Sequence, residues 1–237
     1  PDKPKARKAA KPDLEALAQL PPFAACPHGA LLALGSGSKP QRHRAALLAH
    51  DEAGGLEPTV CEIDLALLYE RLHAQYDKLN IEGAFVSAGS FCLLQRGNKG
   101  DASNALIQFD WPAVQAWLSD TGPAPQPVSS TPYVLGDIDG VPLCFTDGAA
   151  LPGGGWVFCA AAEATDDSYL DGPCRGSAVG VVAADGRLLG LLPLSLPCKA
   201  EGIAVTVVNG ALHLLLVTDP DDRDEPALLL SATLAVD

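Results

Sequence analysis

One phrase recurs four times along this chain. An acidic residue opens a short apolar strand and a turn follows. A second apolar strand then runs into a polar loop rich in Gly and charge, and a third strand closes the unit. The copies begin at Glu15, Glu82, Asp147 and Glu201, so the period runs from 54 to 67 residues. Self-similarity at a near-constant period marks a repeat architecture, in which each unit buries its apolar face only against its neighbours. Four short antiparallel strands per unit make a propeller blade. The expected class is therefore all-β, a β-propeller with four visible blades over 13–80, 81–141, 142–197 and 198–237, which together form one domain. The fourth copy shows three strands and the first starts abruptly. The expected intact ring has five or six blades, with an N-terminal segment outside this sequence closing it.

Local signals fill in the blades. Residues 1–12 are basic and rich in Pro and Ala, and read as a mobile arm or linker. Apolar residues at 65, 68, 69 and 72 predict a short helix over 65–76. A second helix is predicted over 111–119, with Pro112 at a tolerated early position. The Pro- and Ser-rich stretch 121–132 reads as a loop before an outer strand at 133–137. Asp139-Gly140, Asp185-Gly186 and Asn209-Gly210 read as turns, the last two closing hairpins.

Composition excludes some functions. The net charge of −13 argues against general nucleic-acid binding, which needs a positive field, and is compatible with a cation. No apolar run reaches the ~18 residues of a membrane span. Seven cysteines are scattered without a CxxC pair, which argues against structural zinc and favours a reducing, cytoplasmic setting over a periplasmic one.

In a blade, the start of the innermost strand and the loop between the second and third strands open on the same side. The repeat acids and the loops 35–44, 96–103, 163–177 and 218–226 are thus expected at one end of a central channel. Glu15, Glu82, Asp147 and Glu201 have two readings. Carboxylates around one axis repel unless neutralised, and Ca²⁺, before Mg²⁺, is the natural oxygen-bound partner. Alternatively each acid caps backbone N–H groups of its own or the next blade. Ser38, Lys39, Arg42, Arg44, Arg96, Asn98 and Lys99 offer charge-assisted hydrogen bonds to an anionic ligand, or ion pairs to neighbouring loops. Glu163 and Asp219 stand at strand ends and are the candidate general bases. No GxSxG, HExxH or Cys/His pairing supports a nucleophilic hydrolase.

The phrases IEGAFV…LLQRGNKGDASNAL and AEGIAV…LLLVTD resemble the Glu-Gly blade motifs of the phytase-like esterases and related calcium-dependent six-bladed propellers. LLALGSGSKPQRHRA and FTDGAAL…FCAAAEATDDSYLDG…GSAVGV resemble an uncharacterised bacterial propeller-like family more closely. The first resemblance implies metal ligation by Glu15, Glu82, Asp147 and Glu201, with Asp147 departing from the usual Glu. Two functions follow as expectations. One is a propeller that binds a small anionic molecule or a protein at the channel mouth. The other is a metal-dependent phosphoester or lactone hydrolase that uses the same mouth.

Overall fold

The computed structural model describes residues 11–97, 103–164, 174–222 and 224–235. Its strands form four antiparallel sheets, each an up-and-down meander in sequence order, the sheet type of a propeller blade. The first holds β1 (Leu14–Leu20), β2 (Ala30–Gly35), β3 (Arg44–His50) and β4 (Leu56–Asp64). The second holds β5 (Ile81–Ser87), β6 (Ser90–Gln95), β7 (Asn104–Asp110) and β8 (Pro127–Tyr133). The third adds a two-residue strand β9 (Asp137–Ile138) to β10 (Val141–Ala150), β11 (Trp156–Glu163), β12 (Cys174–Val182) and β13 (Leu188–Pro193). The fourth holds β14 (Ala200–Val208), β15 (Ala211–Thr218) and β16 (Leu229–Ala235). The fold is an all-β propeller with four blades. Two helices interrupt it, α1 (Ala66–His73) and α2 (Trp111–Leu118), both where the apolar spacing places them. Among the described residues, no helix is long and apolar enough to cross a membrane.

The chain forms two compact units, Pro1–Leu93 with Ile107–Ser129 and Leu94–Leu106 with Ser130–Asp237. In the first, β1 packs beside β5, so the opening strands of consecutive blades are neighbours. The core draws Ala16, Ala18 and Leu20 from β1, Leu32 and Leu34 from β2, and Leu68, Tyr69 and Leu72 from α1. Period-2 burial on the strands and i, i+1, i+4 burial on the helix explain why these positions are apolar. The Tyr69 hydroxyl finds its partner inside the core by donating to the Gly35 carbonyl at 2.6 Å.

In the second unit, β10 and β11 pack beside β14. Alternation on β15 sends Leu212, Leu214 and Leu216 inward against Val157, Cys159 and Val179. Nearby, Tyr133, Phe145, Trp156 and Phe158 stack mostly edge to face, with Phe145 and Phe158 centroids 4.9 Å apart at 85°. Asn209-Gly210 and Asp139-Gly140 each have two positive φ angles, as a two-residue hairpin turn requires. Asp185-Gly186 closes a wider loop, in which Gly186 N donates to Ala183 O and Ala183 N to Arg187 O.

Two expectations of outer structure fail. The stretch read as a loop at 121–132 contains most of β8, and the strand expected at 133–137 is broken: Tyr133 ends β8, 134–136 are not strand, and Asp137 opens the two-residue β9. Prolines at 127 and 132 suggested a loop. β8 lies at the edge of its sheet, where proline's missing N–H costs no ladder bond.

Phe158 pairs in register with Gly180, and a Cβ on that glycine would run into the Phe158 ring. The ring is fully buried against Phe145 and Trp156 and has nowhere to go. Gly180→Ala is expected to lower the urea-unfolding free energy by about 1–3 kcal/mol, as overpacked cores do. A change within about 0.5 kcal/mol would show that the aromatic cluster yields.

Candidate functional site

Three of the innermost strands slip register once. Glu15 is the extra residue between Leu14 and Ala16, Thr146 between Phe145 and Asp147, and Glu201 between Ala200 and Gly202. Each is a bulge that re-aims one side chain at the same place in its blade. The register corrects the alignment of the third copy by one residue. Thr146, not Asp147, occupies the position of Glu15 and Glu201.

In the second unit these positions join neighbouring blades. The Thr146 hydroxyl donates to Ala200 O at 2.6 Å, and Ile203 N donates to Asp147 Oδ2 at 2.9 Å, so both residues reach across to β14. Gly202 faces Val217 within its own sheet, where a Cβ would lie 2.6 Å from Val217 Cγ2. Asp147 thus takes a backbone amide, the second of the two roles its sequence left open.

Glu201 points into an ion-pair centre built on Lys199. The Lys199 Nζ lies 2.9 Å from Glu163 Oε1, 3.1 Å from Glu201 Oε1 and 2.7 Å from Asp221 Oδ2. Arg96 Nη2 pairs with the other oxygen of Glu163. The side chains of Glu163 and Lys199 are 9% and 12% exposed, so the pairing is largely out of water. Burial opposes the Lys199 charge, but Glu201, the hydrogen bond to Asp221 and Glu163 outweigh it and hold the ammonium well above the ordinary lysine range. Glu163 therefore stands between two cations, Arg96 and Lys199. Asp219 is exposed and accepts from Asp221 N at 2.9 Å, which shapes the turn that brings Asp221 to Lys199.

Two buried side chains that the sequence reading did not single out extend this stitching. Asn104, which opens β7, donates to Leu143 O at 2.9 Å and accepts from Phe145 N at 2.9 Å. Ser177 of β12 donates to Cys198 O at 2.8 Å and accepts from Ala200 N at 2.9 Å. Their sequence signal is a small polar residue just ahead of an apolar run, Ala105–Ile107 after Asn104 and Ala178–Val182 after Ser177.

The first unit carries a separate cluster. Arg42 Nη1 lies 2.5 Å from Asp13 Oδ2 and donates to Ser38 Oγ at 2.8 Å, while Ser36 and Ser38 hydroxyls meet at 3.1 Å. Arg44 pairs with Glu62 at 3.0 Å, with both side chains in solvent. Lys39 and Glu15 are exposed, and Glu82 is buried and accepts from Asn80 Nδ2 at 2.5 Å. Asn98 and Lys99 lie outside the described residues. Unremarked in the sequence, His43 and His73 converge on one acceptor. Their Nε2 atoms sit 3.1 Å and 3.0 Å from Gly37 O, and since a carbonyl only accepts, both nitrogens carry the proton. Gly37 has φ +74°, and a Cβ there would lie 2.8 Å from the Tyr69 ring. A cleft of about 380 Å³ bordered by Pro40, His43, Glu62 and Asp64 lets solvent reach His43.

Glu201 holds an ammonium and Asp147 an amide. Among the described residues, no three His, Cys, Asp or Glu side chains gather in a group able to hold a metal.

Residues 7–223 match a family profile over nearly the whole chain. The chain belongs to the family of unknown function DUF6910. No curated protein matches the sequence of this DUF6910 chain. Among solved structures, it is similar to a subtype N10 neuraminidase-like protein of A/little yellow-shouldered bat/Guatemala/060/2010, at 10% identity and a TM-score of 0.38. That match covers 92% of this chain and spans 60% of the neuraminidase-like one. These findings support the resemblance to an uncharacterised family and give none to the phytase-like or calcium-dependent one.

Two outcomes are expected. Lys199→Met strands buried carboxylates and is expected to cost about 3 kcal/mol or more, whereas Arg44→Ala, in an exposed pair, is expected to cost less than about 1 kcal/mol. Chemical denaturation of both variants checks the contrast. Burial, reinforced by His73, lowers the pKa of His43 below its ordinary 6.5 against the pull of the Gly37 carbonyl and Asp64. The unfolded chain then binds the proton more readily. The stability that a neutral His43 contributes is complete above about pH 6.5 and is lost as pH falls from there through the folded value. The melting temperature should drop between about pH 7 and 5, and less steeply in His43→Gln.

Proposed function

We propose that this DUF6910 chain is a non-catalytic β-propeller scaffold that binds a protein partner, and that its candidate acids and bases hold blades together. The observation that carries the reading is the ion pairing of Glu163 with Arg96 and Lys199, and of Lys199 with Glu201 and Asp221. A metal-dependent hydrolase needs carboxylates presented to a cation and a base presented to water. Here Glu163 serves two protein cations and Glu201 serves one. Between the two ligand classes left open by the sequence, the same pairing favours a protein over a small anion. Arg42, Arg44 and Arg96 already hold Asp13, Glu62 and Glu163.

The test is a panel of phosphate monoesters and lactones assayed with chelator, Ca²⁺ and Mg²⁺, run beside thermal melts in the same buffers. The expected result is no turnover above buffer and no cation-specific rise in melting temperature. Cation-dependent hydrolysis that disappears in Glu201→Gln would overturn the proposal.

A further inference from the structure

Two thiols meet beside the Lys199 centre. Cys174 opens β12 opposite Glu163, and Cys198 immediately precedes Lys199. The Cys174 sulfur lies 3.7 Å from the Cys198 carbonyl oxygen and 3.5 Å from that of Gly176. Cys198 is pinned in place, because its carbonyl also accepts from Ser177 Oγ, which in turn accepts from Ala200 N. A residue's Cα lies about 2.4 Å from its own carbonyl oxygen, so the Cys174 sulfur stands within about 6 Å of the Cys198 Cα. Each sulfur swings about its own Cα–Cβ bond, so a turn about χ1 at each residue brings the two toward one another, and the Cys174 thiol already acts electrostatically on Cys198. The remaining cysteines have other settings. Cys26, Cys92 and Cys159 are buried, Cys144 is half-buried, and Cys61 is exposed.

We propose that Cys174 and Cys198 form a redox-modification site that closes to an intrachain disulfide on reaction with a low-molecular-weight disulfide of the glutathione class. Cys198, the less buried of the two, reacts first. Its thiolate attacks one sulfur of the reagent, expels one thiol and keeps the other half as a mixed disulfide. The Cys174 thiolate then attacks the Cys198 sulfur and expels the second thiol. The protein loses two electrons and two protons, and the reagent takes up both as two free thiols. Burial raises both thiols above their ordinary range, so the reaction quickens as pH rises. The bond spans 24 residues and ties the head of β12 to the segment that carries Lys199 into β14. Neighbouring charges already reach Cys174 from Glu163, Lys199 and Glu201.

The experiment incubates the full chain with oxidised glutathione at about pH 8.5. Free thiols are then blocked, and peptides are mapped by mass spectrometry without reduction. Exposed Cys61 reports that the reagent is active. The expected product is a Cys174–Cys198 linked peptide pair lighter by two hydrogens, with a melting temperature that rises and returns on reduction. In Cys174→Ser, glutathione should remain on Cys198. The proposal is overturned if Cys61 is modified while Cys174 and Cys198 are recovered as free thiols, if each keeps its own glutathione, if either links to another cysteine, or if Cys198 stays free in Cys174→Ser.

Discussion

Everything distinctive about this chain depends on one extra residue inserted into an inner strand. A blade buries its apolar faces only against other blades, and apolar contact alone does not fix how one sheet sits on the next. The bulges at Glu15, Thr146 and Glu201 supply direction. In the second unit, Thr146 and its neighbour Asp147 bond the backbone of β14, while Glu201 is turned toward Lys199. Hydrogen bonds demand a distance and an angle, so they set the register of one blade against the next where dispersion would allow sliding.

Electrostatics then decides what these groups can do. Withdrawing charged groups from water costs several kcal/mol each, and an isolated ion pair rarely recovers all of it. The Lys199 centre offsets the cost by sharing: one ammonium serves three carboxylates, and Glu163 is held from both sides. Such a network is costly to break at a single point, because removing one partner leaves the others buried without it. The Arg42–Asp13 pair is its counterpart in the first unit, where the serines of the 35–38 loop fill out its hydrogen bonds.

Much of the fold was legible because local rules and tertiary needs agree. Alternation marked β15, the Asn209-Gly210 turn marked its hairpin, and the Leu68, Tyr69, Leu72 spacing marked α1. Reading failed where an edge strand could tolerate what a central strand cannot, as with the prolines of β8. It also misplaced the third bulge, because Asp147-Gly148 imitates the Glu-Gly of Glu82-Gly83 and Glu201-Gly202 while the register hands the position to Thr146. Glu163, Glu201 and Arg96 stood out in the sequence as polar residues at strand ends. What each was for was not legible. Glu163 finds Arg96 and Lys199 across long stretches of chain, and no spacing rule announces such partners. A carboxylate meant for a metal and one meant for an ammonium look alike in sequence.

The central claim is that Glu163 and Lys199 act on each other and not on a ligand. A double-mutant cycle with Glu163→Gln and Lys199→Met, read by urea unfolding, measures that directly. The account predicts that the double variant is less destabilised than the two single losses combined, by about 2 kcal/mol or more. Losses that add within about 0.5 kcal/mol would mean the two groups stand independently, and would contradict it.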